Sequence, residues 1–187
     1  EACDRPAEVA PAMVDARVRA AWYLPDERVA DSHALLTGYL RDLRRRGGEV
    51  RCGVRVMGLD VSDGRVRGVL TDQGLISAPQ VVLAGGAWCA ALAAAAGLSR
   101  PLIPLRRTVV HSAPHPLARA DHPWCWIEDA GIYVRHQSGG WLASPCDEAV
   151  DLPRAGPGSR GAPSELARAL VADRVSRIMP ALADARW

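Results

Sequence analysis

Two turn signatures ten residues apart, Ser62-Asp63-Gly64 and Asp72-Gln73-Gly74, constrain this chain more than any other feature. Gly takes the left-handed backbone that a tight turn needs, and Asp tolerates it. Between them Arg65 to Thr71 reads RVRGVLT, with Val66, Gly68 and Leu70 alternating against Arg65, Arg67 and Val69. That is the period of a half-buried strand. A seven-residue strand between two tight turns has no length for a crossover, so its neighbours pair with it antiparallel. The sequence therefore predicts a meander of about three strands, over 55–61, 65–71 and 75–78, with 49–52 also strand-like.

The stretch that follows, Val81 to Gly97, reads VVLAGGAWCAALAAAAG. Its first four residues form an apolar run, as expected for a strand buried on both faces. Gly85 and Gly86 come next, and then an Ala-rich helical pattern. Without a Cβ, glycine lets backbone approach a ligand closely, and a helix start offers N–H groups to a phosphate or a flavin edge. Glycine at such a turn also serves plain packing, and no GxGxxG occurs in the chain.

Upstream of the meander, Asp31 or Ser32 caps a helix. Leu36, Leu40 and Leu43, widened by Leu35 and Tyr39, form its apolar stripe, and Gly47-Gly48 closes it. Arg41, Arg44, Arg45 and Arg46 read as its solvated C-terminal end, complementing the helix dipole. Residues 1–30 are less legible. Val14 to Tyr23 reads as helix or strand, and Leu24-Pro25-Asp26 as a turn. Beyond Gly97, prolines punctuate candidate strands at 105–112, 125–128, 131–135 and 140–144. Residues 150–163 read as a loop. Ser164 caps a last helix with Leu166, Leu170, Val171, Val175 and Ile178 near one face, ended by Pro180.

Composition narrows the functional classes. The chain has 187 residues and a net charge of +2, which gives no case for nucleic acid or an anionic membrane. Every basic side chain is Arg, with no Lys, as GC-rich coding produces, so Arg richness is no sign of phosphate recognition. Five cysteines are scattered without a CxxC pair, which argues against zinc and against a disulfide framework. With no basic start and apolar block at the N-terminus, the expected location is cytoplasmic. Val81 to Leu98 is uncharged, but it is mostly Ala and Gly, so no membrane span is expected. His111 and His115 straddle Pro114, which breaks helical metal-ligand spacing. No metal site is expected. Trp124 and Trp126 flank Cys125, as pocket-lining residues or as one face of a half-buried strand.

Three quoted stretches carry a family likeness: ADSHALLTGYLRDLRRRGGEVRCGVRV, GRVRGVLTDQGLISAPQVVLAGGAWCAAL and GIYVRHQSGGWLASPCDE. PLIPLRRTVV and IMPALADARW add to it. In this order they resemble the central part of FAD-dependent oxidoreductases of the D-amino-acid oxidase, sarcosine oxidase and glycine oxidase family, from about Asp31 to Trp187. The resemblance implies an α+β fold. A partial FAD-binding domain over 1–98 (helix, antiparallel meander, buried strand, Gly-Gly, helix) would join a mixed β-sheet substrate-binding domain over 99–187. It implies FAD as cofactor, with Val56, Ala84, Gly85, Gly86 and Trp88 beside it. It implies Tyr133 and Arg135, which share a face at i, i+2, as holders of a substrate carboxylate.

The implied reaction is oxidation of an amine or amino acid by hydride transfer from Cα–H to the flavin. The family's opening GxGxxG and closing flavin segment are not in this sequence. The chain is therefore expected to be inactive alone. The alternative is a non-catalytic binding or interaction module derived from such an enzyme, self-associating through an exposed sheet edge.

Overall fold

A computed structural model describes residues 1–99, 101–152 and 164–187. In chain order the elements are α1 (Pro6–Val9), α2 (Ser32–Arg45), β1 (Val56–Ser62), β2 (Arg65–Thr71), β3 (Gly74–Ser77), α3 (Cys89–Ala95), β4 (Val110–Pro114), β5 (Cys125–Ile127), β6 (Ile132–Gln137), β7 (Gly140–Ser144) and α4 (Glu165–Ile178). By its contacts the chain divides into two compact units, Asp26–Pro104 and Glu1–Pro25 with Leu105–Trp187. The sequence reading grouped 1–98 instead, whereas the first 25 residues join the second unit. No described helix is long and apolar enough to cross a membrane.

In the unit Asp26–Pro104, the Asp31 carboxylate accepts from the Ala34 N–H at 2.9 Å and starts α2. Gly47, at φ +82°, ends it, and the Gly48 N–H reaches back to the Leu43 carbonyl at 2.9 Å. Strands β1, β2 and β3 form the expected antiparallel meander in that order. Asp63 and Gly64 both have positive φ, which fits the twist of a two-residue hairpin. The Asp72 carboxylate accepts from the Arg55 N–H at 2.9 Å and ties the second turn to the start of β1.

Two expectations fail in this unit. Residues 49–52 form no strand. Neither do Val81 to Ala84, which join no ladder, and Val82 is 87% exposed. A strand needs partners for its N–H and C=O groups. No described segment pairs with this run, so its apolar residues stand in extended chain. The apolar stripe of α2 is likewise uncovered, with Leu35, Leu36, Tyr39 and Leu43 all exposed. Only Gly58, Gly68 and Ala93 are buried among the unit's described residues.

The unit of Glu1–Pro25 with Leu105–Trp187 holds a developed core. Its sheet runs β4-β7-β6-β5, antiparallel throughout. One face carries Ile132 and Val134 of β6 and Trp141 and Ala143 of β7. Against it pack Val171 and Val175 of α4, Met179 and Leu182 beyond it, and Ala10, Ala12 and Met13 from the N-terminal segment. Ser164 Oγ accepts from the Ala167 N–H at 3.1 Å and caps α4, as its place in the sequence predicts. Arg174 donates through Nη1 to the carbonyls of Gly131 and Pro145, both at 2.8 Å, and so pins the helix to the sheet.

Three expectations shift in this unit. Strand β4 starts at Val110, and Leu105 makes only an isolated bridge to Val150. Leu166 is 70% exposed, and Ala167 takes its place on the buried face. Val171, Val175 and Ile178 lie on the packed face as the sequence step predicts, and Leu166 alone of the expected stripe points out to solvent. Val14 to Tyr23 is neither helix nor strand beyond the Ala2–Trp22 bridge. Most of the expected loop at 150–163 lies outside the described residues.

Candidate functional site

The glycine turn belongs to the unit Asp26–Pro104. Ala84, Gly85 and Gly86 are all exposed. Gly86 has φ +55°, a conformation that disfavours any side chain, and a Cβ there would meet nothing within 4 Å. At Gly85 a Cβ would sit 3.8 Å from Cys89 Sγ and Leu92 Cδ1, an ordinary contact. The Cys89 thiol donates a weak bond to the Leu83 carbonyl at 3.5 Å, anchoring the run before the turn. Residues Gly86–Trp88 form one 3-10 turn leading into α3, and Trp88 is 48% exposed. The result is bare backbone open to one side, with α3 lying against β1. Val56 opens β1 opposite Thr71 and is exposed. An open ledge of this kind suits the flat edge of a large ligand.

A second candidate surface lies on the other unit, on the sheet face turned away from α4. The alternation of β6 sends Ile132 and Val134 into the core, so Tyr133 and Arg135 share the opposite face. Register then adds neighbours. Tyr133 stands opposite Trp126 of β5 and Ser144 of β7, and Arg135 opposite Leu142. Leu142 in turn faces His111 of β4. Ser144 and Leu142 are buried and form a floor.

Trp124, Trp126 and Tyr133 cluster at one corner, with ring centroids 6.2 to 6.5 Å apart. Trp124 meets Tyr133 edge-on at 86°. The Cys125 side chain between the indoles turns into the core, and burial pushes its thiol pKa up to about 11. It is not a nucleophile at neutral pH.

Several of the sheet unit's other polar groups are paired with one another. Arg106 pairs with Asp151 at 3.1 Å and Arg107 with Glu148. Arg135 takes part in none of the ion pairs found among the described residues; its guanidinium makes one long bond, 3.5 Å, to the His136 carbonyl. His115 Nε2 bonds the Asp184 carboxylate at 3.1 Å, which lowers the Asp184 pKa. His122 Nδ1 meets the Leu117 carbonyl at 3.2 Å. Among the described residues no cluster of His, Cys, Asp or Glu is arranged to hold a metal ion.

Sequence reasoning brought Tyr133 and Arg135 onto one face, but it did not connect Trp126, Leu142 or His111 to them. A signal existed for Trp126. The four residues Glu128 to Gly131 between the strands set a hairpin in which Ile127 meets Ile132 and Trp126 meets Tyr133.

Comparison with known proteins places these features in context. The family model described as "FAD dependent oxidoreductase" matches residues 1–187. The chain is 33% identical over 152 residues to 4-methylaminobutanoate oxidase (formaldehyde-forming) of Paenarthrobacter nicotinovorans, covering 81% of this chain and 18% of that protein. Among solved structures, L-proline dehydrogenase from P. horikoshii superposes with a TM-score of 0.77 at 20% identity, over 100% of this chain and 50% of that one. Iminodiacetate oxidase from a Chelativorans species gives a TM-score of 0.71 at 22% identity, over 96% of this chain and 46% of that one. The chain thus spans about a fifth of that curated relative and about half of these solved structures.

Proposed function

The chain belongs to the family of FAD-dependent oxidoreductases, and on that basis we propose that it serves the oxidation of an amine or amino acid, with FAD accepting a hydride from the substrate Cα–H. The observation that carries this reading is the match of the family over all 187 residues. Bound FAD supplies the electron sink; the chain's own residues supply position.

Gly85 and Gly86 give the cofactor a backbone ledge without side chains, and the exposed, Cβ-free geometry at Gly86 fits that use. Val56 lines the same unit through its backbone, and Trp88 and Ala84 flank the ledge. In this reading the unit Asp26–Pro104 is the cofactor side and the sheet of β4 to β7 the substrate side. Tyr133 and Arg135 hold the substrate carboxylate, Arg135 through the two parallel N–H donors of its guanidinium.

The chain's five free cysteines suit a reducing, cytoplasmic setting. The outer edges of β1 and β3 offer unpaired backbone for self-association, which light scattering reads. A non-catalytic module derived from an oxidoreductase is the rival reading.

The test uses the protein expressed from its complete open reading frame. It is expected to carry a flavin absorption spectrum that amino acids bleach without oxygen. Gly86→Val is expected to lose the flavin. Arg135→Leu is expected to keep it while KM for carboxylate substrates rises about tenfold or more, the loss of a charged hydrogen-bonded pair. Flavin-free protein, or flavin binding unchanged in Gly86→Val, overturns the reading.

A further inference from the structure

Between β4 and β5 the chain turns over residues 115–122, and two histidines grip one residue of that turn. The Leu117 N–H donates to His115 Nδ1 at 3.2 Å. The Leu117 carbonyl lies 3.2 Å from His122 Nδ1. Both imidazoles are shielded, their side chains 6% and 9% exposed. Leu117 and Ala118 rest against the core of the sheet unit. The His115 ring lies beside Trp141, with centroids 6.2 Å apart.

The two backbone groups of Leu117 fix opposite tautomers. A backbone N–H only donates, so His115 Nδ1 keeps its lone pair and the ring proton sits on Nε2. That Nε2 donates to the Asp184 carboxylate at 3.1 Å. A carbonyl only accepts, so His122 carries its proton on Nδ1. Its Nε2 faces the Asp121 carboxylate at 4.0 Å, beyond hydrogen-bond reach.

A second proton therefore acts differently on the two rings. At His122 it goes to Nε2, toward Asp121, and the bond to Leu117 stays. Asp121 is ionised throughout, because its hydrogen bond with Arg119 holds its pKa at about 2. At His115 the second proton goes to Nδ1, where it meets the Leu117 N–H. Donor then faces donor, and the bond is lost.

The surroundings of His115 favour that proton from one side only. Asp184, its pKa lowered chiefly by the hydrogen bond with His115, stays charged beside Nε2. Within the turn, Arg119 is held by Asp121 through two bonds, at 3.0 and 2.8 Å. The core beneath is lined by the neutral indole of Trp141 on β7 and by apolar side chains of α4 and the N-terminal segment. Strand β6 adds His136, opposite Trp141 in register.

We propose that the turn 115–122 is an acid-released clasp, in which protonation of His115 frees the Leu117 amide and loosens the cover that Leu117 and Ala118 place on the core. His122 and the bond between His115 and Asp184 hold the two flanks meanwhile. An imidazole changes charge between about pH 5 and pH 8, which sets the range to search. The clasp is independent of flavin and of substrate.

The test is hydrogen exchange of the full-length protein, read by mass spectrometry and corrected for the intrinsic effect of pH on exchange. Peptides spanning Leu117 are expected to lose protection about fivefold or more from pH 8 to pH 5, while those spanning Val171 to Ile178 change less than about twofold. His115→Asn sets a carbonyl oxygen where Nδ1 stands, forming an Asx turn to the N–H two residues on, and it does not titrate. It is expected to keep at pH 5 the protection it has at pH 8. His115→Phe has no acceptor and is expected to be poorly protected at both. His122→Asn still offers an N–H to the Leu117 carbonyl and is expected to retain the parent's pH dependence.

Unchanged protection of the parent from pH 8 to pH 5, a pH dependence that persists in His115→Asn, or full protection in His115→Phe overturns the clasp. So does a loss of protection over Val171 to Ile178 that accompanies the loss at Leu117, because it reports unfolding of the core rather than release of one turn.

Discussion

Asp147 is a carboxylate held by hydrogen bonds rather than by an adjacent ion partner. The Thr108 N–H donates to it at 2.7 Å and the Thr108 hydroxyl at 2.6 Å. Partial burial pushes its pKa up, but those two bonds, with help from Arg106, outweigh burial and leave the value lowered. A carboxylate whose folded pKa lies below its unfolded value of about 3.9 adds stability above that pH and loses it as pH falls through the folded value. Asp147→Asn removes that dependence. Thermal melts are expected to show the parent above the variant at pH 7 and the gap closing below about pH 4. A gap that stays constant down to pH 3 would show that the carboxylate's charge is not what Thr108 stabilises. None of this pairing is legible in the sequence, since 39 residues separate the two partners. By contrast, the common face of Tyr133 and Arg135 follows from a strand's two-residue period alone.

Among the elements, α2 and α4 make an instructive pair. Each has 14 residues; Ser164 caps α4 as the sequence predicts, and of the two candidates Asp31 and Ser32 it is Asp31 that caps α2. Caps are local chemistry, a side-chain oxygen and an N–H three residues on, so they are readable from sequence. Burial is not. The apolar stripe of α2 is exposed, while α4 and its C-terminal flank bury Val171, Val175 and Met179. Met179→Ala is therefore expected to destabilise by about 2–5 kcal/mol, the cost of a buried cavity. Leu166→Ala, on the same helix but exposed, is expected to stay within about 0.5 kcal/mol. Denaturant melts of both variants check this, and comparable losses would contradict the placement of Leu166. The 81–84 run teaches the same lesson for strands. Its β-branched apolar residues promise a buried strand, but only a laterally placed partner makes a ladder.

Across the whole molecule, burial is distributed unevenly between the two units. Large side chains are fully buried around β6, β7 and α4, and none is buried in the described residues 26–99. Local opening follows the amount of buried apolar contact, so the units differ in how readily their amides exchange. In the 187-residue chain, hydrogen exchange is expected to protect the amides of Val171 to Ile178 at least tenfold more than those of Leu36 to Leu43. Equal protection of the two helices would contradict the assignment of the core. The sequence by itself determined what is short-range: the meander from its two turns, the Ser164 cap and the approximate start of α2, the shared face of Tyr133 and Arg135, and the family from the order of its segments. It did so because turn, cap and alternation are set within a few residues. Tertiary structure alone decided which apolar faces are covered, that the first 25 residues complete the core beside α4, and that two indoles stand with Tyr133 on one open face. Those outcomes depend on groups brought together from distant parts of the chain, and burial belongs to the pair in contact rather than to either residue.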